Sequence, residues 1–182
     1  TISILAGGWS AKPLDKSKLP GLIIGVNDSA VHARCDIAIS MDRLWTENRW
    51  ANLQALGSMR RIAYIREAAL KNIPARPSWL HPFHCDHTLA ELSDDRRTLN
   101  GTNSGLCALN LAYQMFPKRI ILFGYDMCRG PNNEAYWWPS EYPWARPGGG
   151  TGNKRYSEWA GQFARAQEQC KAQGIEVLNA SK

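Results

Sequence analysis

Short runs of Ile, Val and Leu recur along the 182 residues, and each is followed by a polar or glycine-containing step and then by a longer segment. Runs that are apolar at successive positions belong to strands covered on both faces, which a mostly parallel sheet with helices on either side provides. Six runs are expected to be strands: residues 2–6, 22–26, 37–40, 62–65, 120–123 and 175–178. Three helices are expected between them. Residues 42–56 carry Trp45, Leu53 and Leu56 roughly on one side, with Gly57 to stop them. Residues 102–116 are capped by Thr102 or Asn103 and ended by Pro117. Residues 156–173 place Trp159, Phe163, Ala166 and Cys170 at three- or four-residue spacing, and Gly174 ends that helix. The expected architecture is α/β, with a parallel sheet of about six strands and helices on both faces.

Composition narrows the class further. With 44% hydrophobic and 21% charged residues, the chain has material for one core and too little for two, so residues 1–182 are expected to form a single domain. Disorder, collagen and coiled coil do not fit that composition. No stretch approaches the ~18 apolar residues of a bilayer-spanning helix, and the opening TISILAGGWSAK reads as a strand without a charged leader. Five cysteines (Cys35, Cys85, Cys107, Cys128 and Cys170) show no CxxC spacing, which argues against a disulfide framework and points to a reducing, cytoplasmic setting. The net charge of +6 is spread along the chain without a basic run, so it favours anionic ligands only mildly. A phosphate-bearing small molecule and a nucleic acid both remain open as partners.

Two segments break the alternation. Residues 72–97 hold three prolines and a histidine cluster, and residues 129–153 hold four prolines and the run GGG. Both are expected to be irregular insertions above the sheet, as functional lids often are.

In open parallel sheets ligands bind beyond the carboxyl ends of the strands, so the residues following each run matter most. Gly7, Gly8 and Ser10 follow the first, Asn27-Asp28-Ser29 the second, Met41-Asp42-Arg43 the third, Gly124-Tyr125-Asp126 the fifth and Asn179-Ala180-Ser181 the sixth. Asn103, Ser104 and Gly105 open a helix, where backbone N–H groups and the helix dipole favour an anion. Simple capping needs only one of them.

The order GGWSAK, VND, GTNSG and RIILFGYDM resembles the pattern shared by small single-domain bacterial sialyltransferases and by 6-hydroxymethylpterin pyrophosphokinase-like domains. The resemblance covers residues 2–27 and 98–127, with a weaker echo in the final strand. It implies a Rossmann-like nucleotide-binding domain in which Gly7, Gly8, Ser10, Asn27, Ser104, Gly105 and Asp126 occupy the matching positions. Trp9 and Ala11 stand where the families carry Pro and Leu. In the sialyltransferases a histidine in the lid before the last helix looks like the general base, and residues 148–157 here contain none.

A transferase needs a group to accept the acceptor's proton and groups to stabilise the departing phosphate. Asp126 is the first candidate base or Mg²⁺ holder, with Asp42 beside it, and His84 or His87 could supply the base that the lid lacks. Arg129, Arg146, Lys154 and Arg155 are candidates to neutralise the leaving group. Tyr136, Trp137, Trp138, Tyr142, Trp144 and Tyr156 crowd the second insertion, where rings stack on sugars or bases, plug the lid onto the domain or form a dimer contact. HPFHCDH is a poor match to zinc spacing, so no metal ligand is assigned. The expected function is a nucleotide-binding transferase, foremost a glycosyltransferase using a CMP-sugar. The alternatives are a Mg²⁺-dependent pyrophosphokinase, a nucleotide-binding protein without turnover, and a nucleic-acid-binding or modifying protein. A second copy of the chain is a further candidate partner.

Overall fold

Buried backbone N–H and C=O groups must find partners, and the apolar runs find them in one another. The computed structural model describes residues 1–59, 61–73, 76–86, 91–138 and 153–181. Within them one sheet holds seven strands: β1 (Ile2–Leu5), β2 (Leu22–Val26), β3 (Ile37–Ser40), β4 (Ile62–Arg66), β5 (Leu80–Phe83), β6 (Arg119–Phe123) and β7 (Glu176–Asn179). Their order is β5-β4-β3-β2-β1-β6-β7, and every pairing is parallel. Ile4 of β1 lies opposite Ile24 of β2 on one side and Leu122 of β6 on the other.

The chain winds outward from β1 to β5, then returns to place β6 on the other side of β1. That reversal opens a crevice beyond the carboxyl ends of β1 and β6. The helices are α1 (Ser29–His32), α2 (Arg43–Asn48), α3 (Trp50–Ser58), α4 (Ser104–Tyr113) and α5 (Asn153–Ala172). Successive strand residues alternate between two cores. Ile4, Ile24, Ile37 and Ile39 pack with Leu106, Leu109, Ala166 and Cys170 of α4 and α5, while Ile23, Ala38 and Ile65 pack with Ala30, Trp45, Leu53 and Leu56 of α1, α2 and α3. Each fully buried Leu, Ile or Phe contributes roughly 1.5–3 kcal/mol to folding. All ten residues of α4 are buried, so this helix is fixed against the sheet along its whole length.

Several elements differ from the sequence expectation. The sheet has seven strands rather than about six, because Leu80–Phe83 pairs with β4 inside the segment expected to be irregular. Its Pro82 obscures the strand and is tolerated because β5 is an edge with only one neighbour. The helix expected at 42–56 is two helices that break at Arg49, whose backbone (φ −107°, ψ 14°) leaves the helical region. The Arg49 side chain donates two 2.8 Å hydrogen bonds to the buried Asp28 carboxylate. Gly57 lies inside α3, beneath the Trp79 ring, instead of ending it. α5 begins at Asn153, within the second expected insertion, and ends at Ala172, just before the turn in which Gly174 adopts φ 73°. Among the described residues no helix is long and apolar enough to cross a membrane.

Candidate functional site

The site begins where β1 runs out. The Ala6 and Gly8 N–H groups donate to the carbonyls of Phe123 and Gly124, both at 2.8 Å, so β1 and β6 stay paired past their formal ends. A Cβ on Gly8 would lie 2.2 Å from Asp126 Oδ2 and 2.4 Å from Gly124 O; only glycine permits this approach. Asp126 uses the space. Its Oδ2 accepts the Ser10 N–H at 3.0 Å, while its buried Oδ1 has no hydrogen-bond partner among the described residues.

A second polar group forms across β2, β3 and α4. Asn27, held at φ 51° just past β2, donates from Nδ2 to Asp42 Oδ2 at 3.3 Å. The Ser104 hydroxyl approaches the same oxygen at 3.4 Å and accepts the Met41 N–H at 3.1 Å. Asn103 caps α4 by accepting the Leu106 N–H at 2.9 Å, which leaves its buried Nδ2 without a partner among the described residues. The start of α4 therefore borders the crevice together with Asn27, Asn103 and Ser104.

These groups line one cavity of about 430 Å³. Its walls are Gly7 and Gly8, Asn27, Asp42, residues 102–105 and 124–128, with Arg66 from β4, Tyr136, and Arg155, Tyr156 and Trp159 from α5. Two carboxylates and two guanidinium groups thus meet around a space of ordinary small-molecule size. Tyr125 closes the floor: its hydroxyl donates to Gly105 O at 3.1 Å, and burial raises its pKa far above the ordinary phenol range.

Of the residues singled out from sequence, Gly7, Gly8, Asn27, Asn103, Ser104, Gly105, Asp126 and Arg155 line this cavity. Ser10 stands behind it, positioning Asp126 through its backbone while its buried hydroxyl has no hydrogen-bond partner among the described residues. Trp138 is not a cavity residue. It is 5% exposed and stacks between Tyr136 (4.8 Å) and His32 (5.5 Å), so it packs a strap over Gly7 and leaves Tyr136 to face the cavity. The strap is pinned where Trp137 donates from its backbone to Gly7 O and from its ring to Ala6 O, at 3.0 and 3.1 Å. His84 is exposed, pairs through its backbone with Arg97 and Leu99, and does not line the cavity. His87, Trp144 and Arg146 lie outside the described residues, as does the side chain of Lys154. No cluster of three or more His, Cys, Asp or Glu side chains suited to a metal occurs among the described residues.

Arg66 is a charged cavity residue that sequence reasoning missed. It closes a strand like the other site residues, and inspecting the step after 62–65 as the steps after the other runs were inspected would have found it.

No family model matches the chain, and no curated protein does. Among solved structures, it is similar to the sialyltransferase CstII from Campylobacter jejuni, determined in complex with the substrate analogue CMP-3FNeuAc, with a TM-score of 0.54 and 12% identity. The match covers 100% of this chain and 81% of that one. What the two share is the fold. The likeness runs the length of the chain, so it includes the segments outside 2–27 and 98–127 that carry no sequence resemblance.

Proposed function

We propose that the protein is a transferase that binds a nucleotide sugar of the CMP-sugar type in the cavity at the carboxyl edge of the sheet. One observation carries the proposal: loops from β1, β2, β3 and β6 and the start of α4 converge on a single 430 Å³ cavity at the point where the strand order reverses. The likeness in fold to an enzyme solved with a CMP-linked analogue supports cytidine over other bases.

In this reading the α4 N-terminus and the Gly8 loop receive the phosphate. Helix-end amides present N–H donors and partial positive charge, and Arg66 and Arg155 add full charges to the same walls. As the glycosidic bond to phosphate breaks, negative charge grows on the departing nucleotide, and these fixed donors stabilise it. Asp126 is the residue assigned to accept the proton of the attacking hydroxyl. One of its oxygens is anchored by Ser10 N–H, while the other is buried and has no hydrogen-bond partner among the described residues, which leaves it able to accept a proton. Asn27, Asp42 and Ser104 form the hydrogen-bonding wall for a ribose or sugar.

The test is a thermal-shift panel of CMP, UDP, GDP, ADP and ATP with and without Mg²⁺, followed by Asp126→Asn. A ligand that binds the folded state raises its melting temperature by mass action. CMP is expected to stabilise without metal, and Asp126→Asn to keep CMP binding while losing at least about a hundredfold in transfer rate. Stabilisation by ATP alone, and only with Mg²⁺, would replace this reading with phosphoryl transfer.

A further inference from the structure

Cys85 and Cys107 have no part in the site as described, yet they meet behind one of its walls. Cys85 leaves the end of β5 half-buried, and Cys107 sits fully buried in the first turn of α4. Their sulfurs are 3.8 Å apart. Cys85 Sγ also donates to Gly101 O at 3.3 Å, and Cys107 Sγ lies 3.7 Å from Leu99 O. Both thiols therefore grip the turn that delivers Thr102, Asn103, Ser104 and Gly105 to the cavity.

The two thiols are chemically unequal. The hydrogen bond from Cys107 and the charge of Arg66 outweigh burial at Cys85 and hold its pKa below the ordinary thiol value. The same hydrogen bond, with burial, holds Cys107 well above it. One thiol is thus accessible and disposed to ionise, while its neighbour is buried and protonated, the arrangement of an attacking and a resolving cysteine.

We propose that Cys85 and Cys107 are a peroxide-sensitive pair whose disulfide displaces the α4 wall of the cavity. The Cys85 thiolate attacks one oxygen of a hydroperoxide; the S–O bond forms, the O–O bond breaks, and the other oxygen leaves as water or an alcohol after taking a proton. Cys107 then attacks the Cys85 sulfenic sulfur, forming the S–S bond, and its proton leaves with the hydroxyl as a second water. Two electrons pass from the thiols to the peroxide. A disulfide needs its sulfurs about 2.05 Å apart, so closing the gap moves the 99–103 turn and the first turn of α4 relative to the end of β5. Asn103 and Ser104 ride on that movement.

The consequence for ligand affinity rests on the nucleotide-binding reading; the chemistry of the pair does not. The experiment treats the reduced protein with hydrogen peroxide, blocks remaining thiols, and maps cross-linked peptides by mass spectrometry. It also follows hydrogen exchange over residues 99–107 and titrates CMP before and after treatment. The expected result is a Cys85–Cys107 cross-link, altered exchange in that segment, and CMP affinity at least about tenfold weaker. Dithiothreitol reverses all three, and Cys85→Ser or Cys107→Ser abolishes the response to peroxide. Cys85 oxidised without a cross-link, or a cross-link that leaves exchange over 99–107 unchanged, overturns the proposal. If the reduced protein binds no CMP, the nucleotide reading fails, and the cross-link and exchange measurements still decide the thiol chemistry.

Discussion

Asp126 is where local geometry and proposed chemistry meet, because one carboxylate oxygen is tied to Ser10 N–H while Gly8 makes room for it. Gly8→Ala places a methyl group against backbone as well as side chain, so the loop cannot absorb it by rotating one group. The expected cost is about 1–3 kcal/mol, read as a lower denaturant midpoint, together with lost nucleotide binding. An unchanged midpoint would mean that the loop is looser than described. Ser104 carries two roles. Its hydroxyl accepts the buried Met41 N–H as well as facing Asp42, so Ser104→Ala is expected to destabilise by about 1–3 kcal/mol and to weaken CMP binding. A variant that weakens binding with no loss of stability would separate those roles. At this scale the cavity lining was legible wherever a residue after an apolar run reaches it, as at Asn27 and Asp126. The role of Ser10 was not legible, because it contributes a backbone N–H to Asp126, a contact between residues far apart in the chain.

The strap at 136–138 shows why residue type alone misplaces an aromatic. For Trp137 and Trp138 the sequence leaves ligand stacking, a plug onto the domain and a dimer contact open; in the structure Trp137 ties the strap to Ala6, and the stacking of Trp138 on Tyr136 and His32 leaves Tyr136 at the cavity. Trp138→Ala is expected to cost about 3–5 kcal/mol because it empties a packed position. Its effect on CMP affinity should follow from loosening of the Gly7 loop, and should be mimicked by Trp137→Ala. Equal stability of the Trp138→Ala and parent proteins in chemical denaturation would contradict this packing role. Among the larger elements, the strand runs were readable because uninterrupted Ile and Val positions signal burial on two faces. β5 was hidden by Pro82 and by its two exposed central residues. The break between α2 and α3 was hidden because neither Gly nor Pro marks it; it falls at Arg49, whose side chain pairs with Asp28 from a distant part of the chain.

For the whole molecule, burial makes its thiols report on folding. Cys35 and Cys170 are pushed up to about 11 from an ordinary value near 9, both chiefly by burial. Unfolded, these thiols lose their protons near pH 9, while the fold keeps them until about 11. Their contribution is complete below pH 9 and is lost as the pH rises through that interval, because the folded state binds more protons there. Stability measured by denaturant should therefore fall from pH 9 to 11, and a Cys35→Ala, Cys170→Ala variant should show a shallower fall. An equal slope would assign the loss to other groups. The doubly wound sheet was predictable from alternation, and the convergence of its loops followed from the rule that strands of a parallel sheet end on one edge. That convergence is the central claim. Backbone chemical-shift mapping of a CMP titration tests it most directly: the account predicts that perturbations concentrate at Gly7, Gly8, Asn27, Ser104, Gly105 and Gly124, whereas shifts clustered elsewhere, or none, would contradict it.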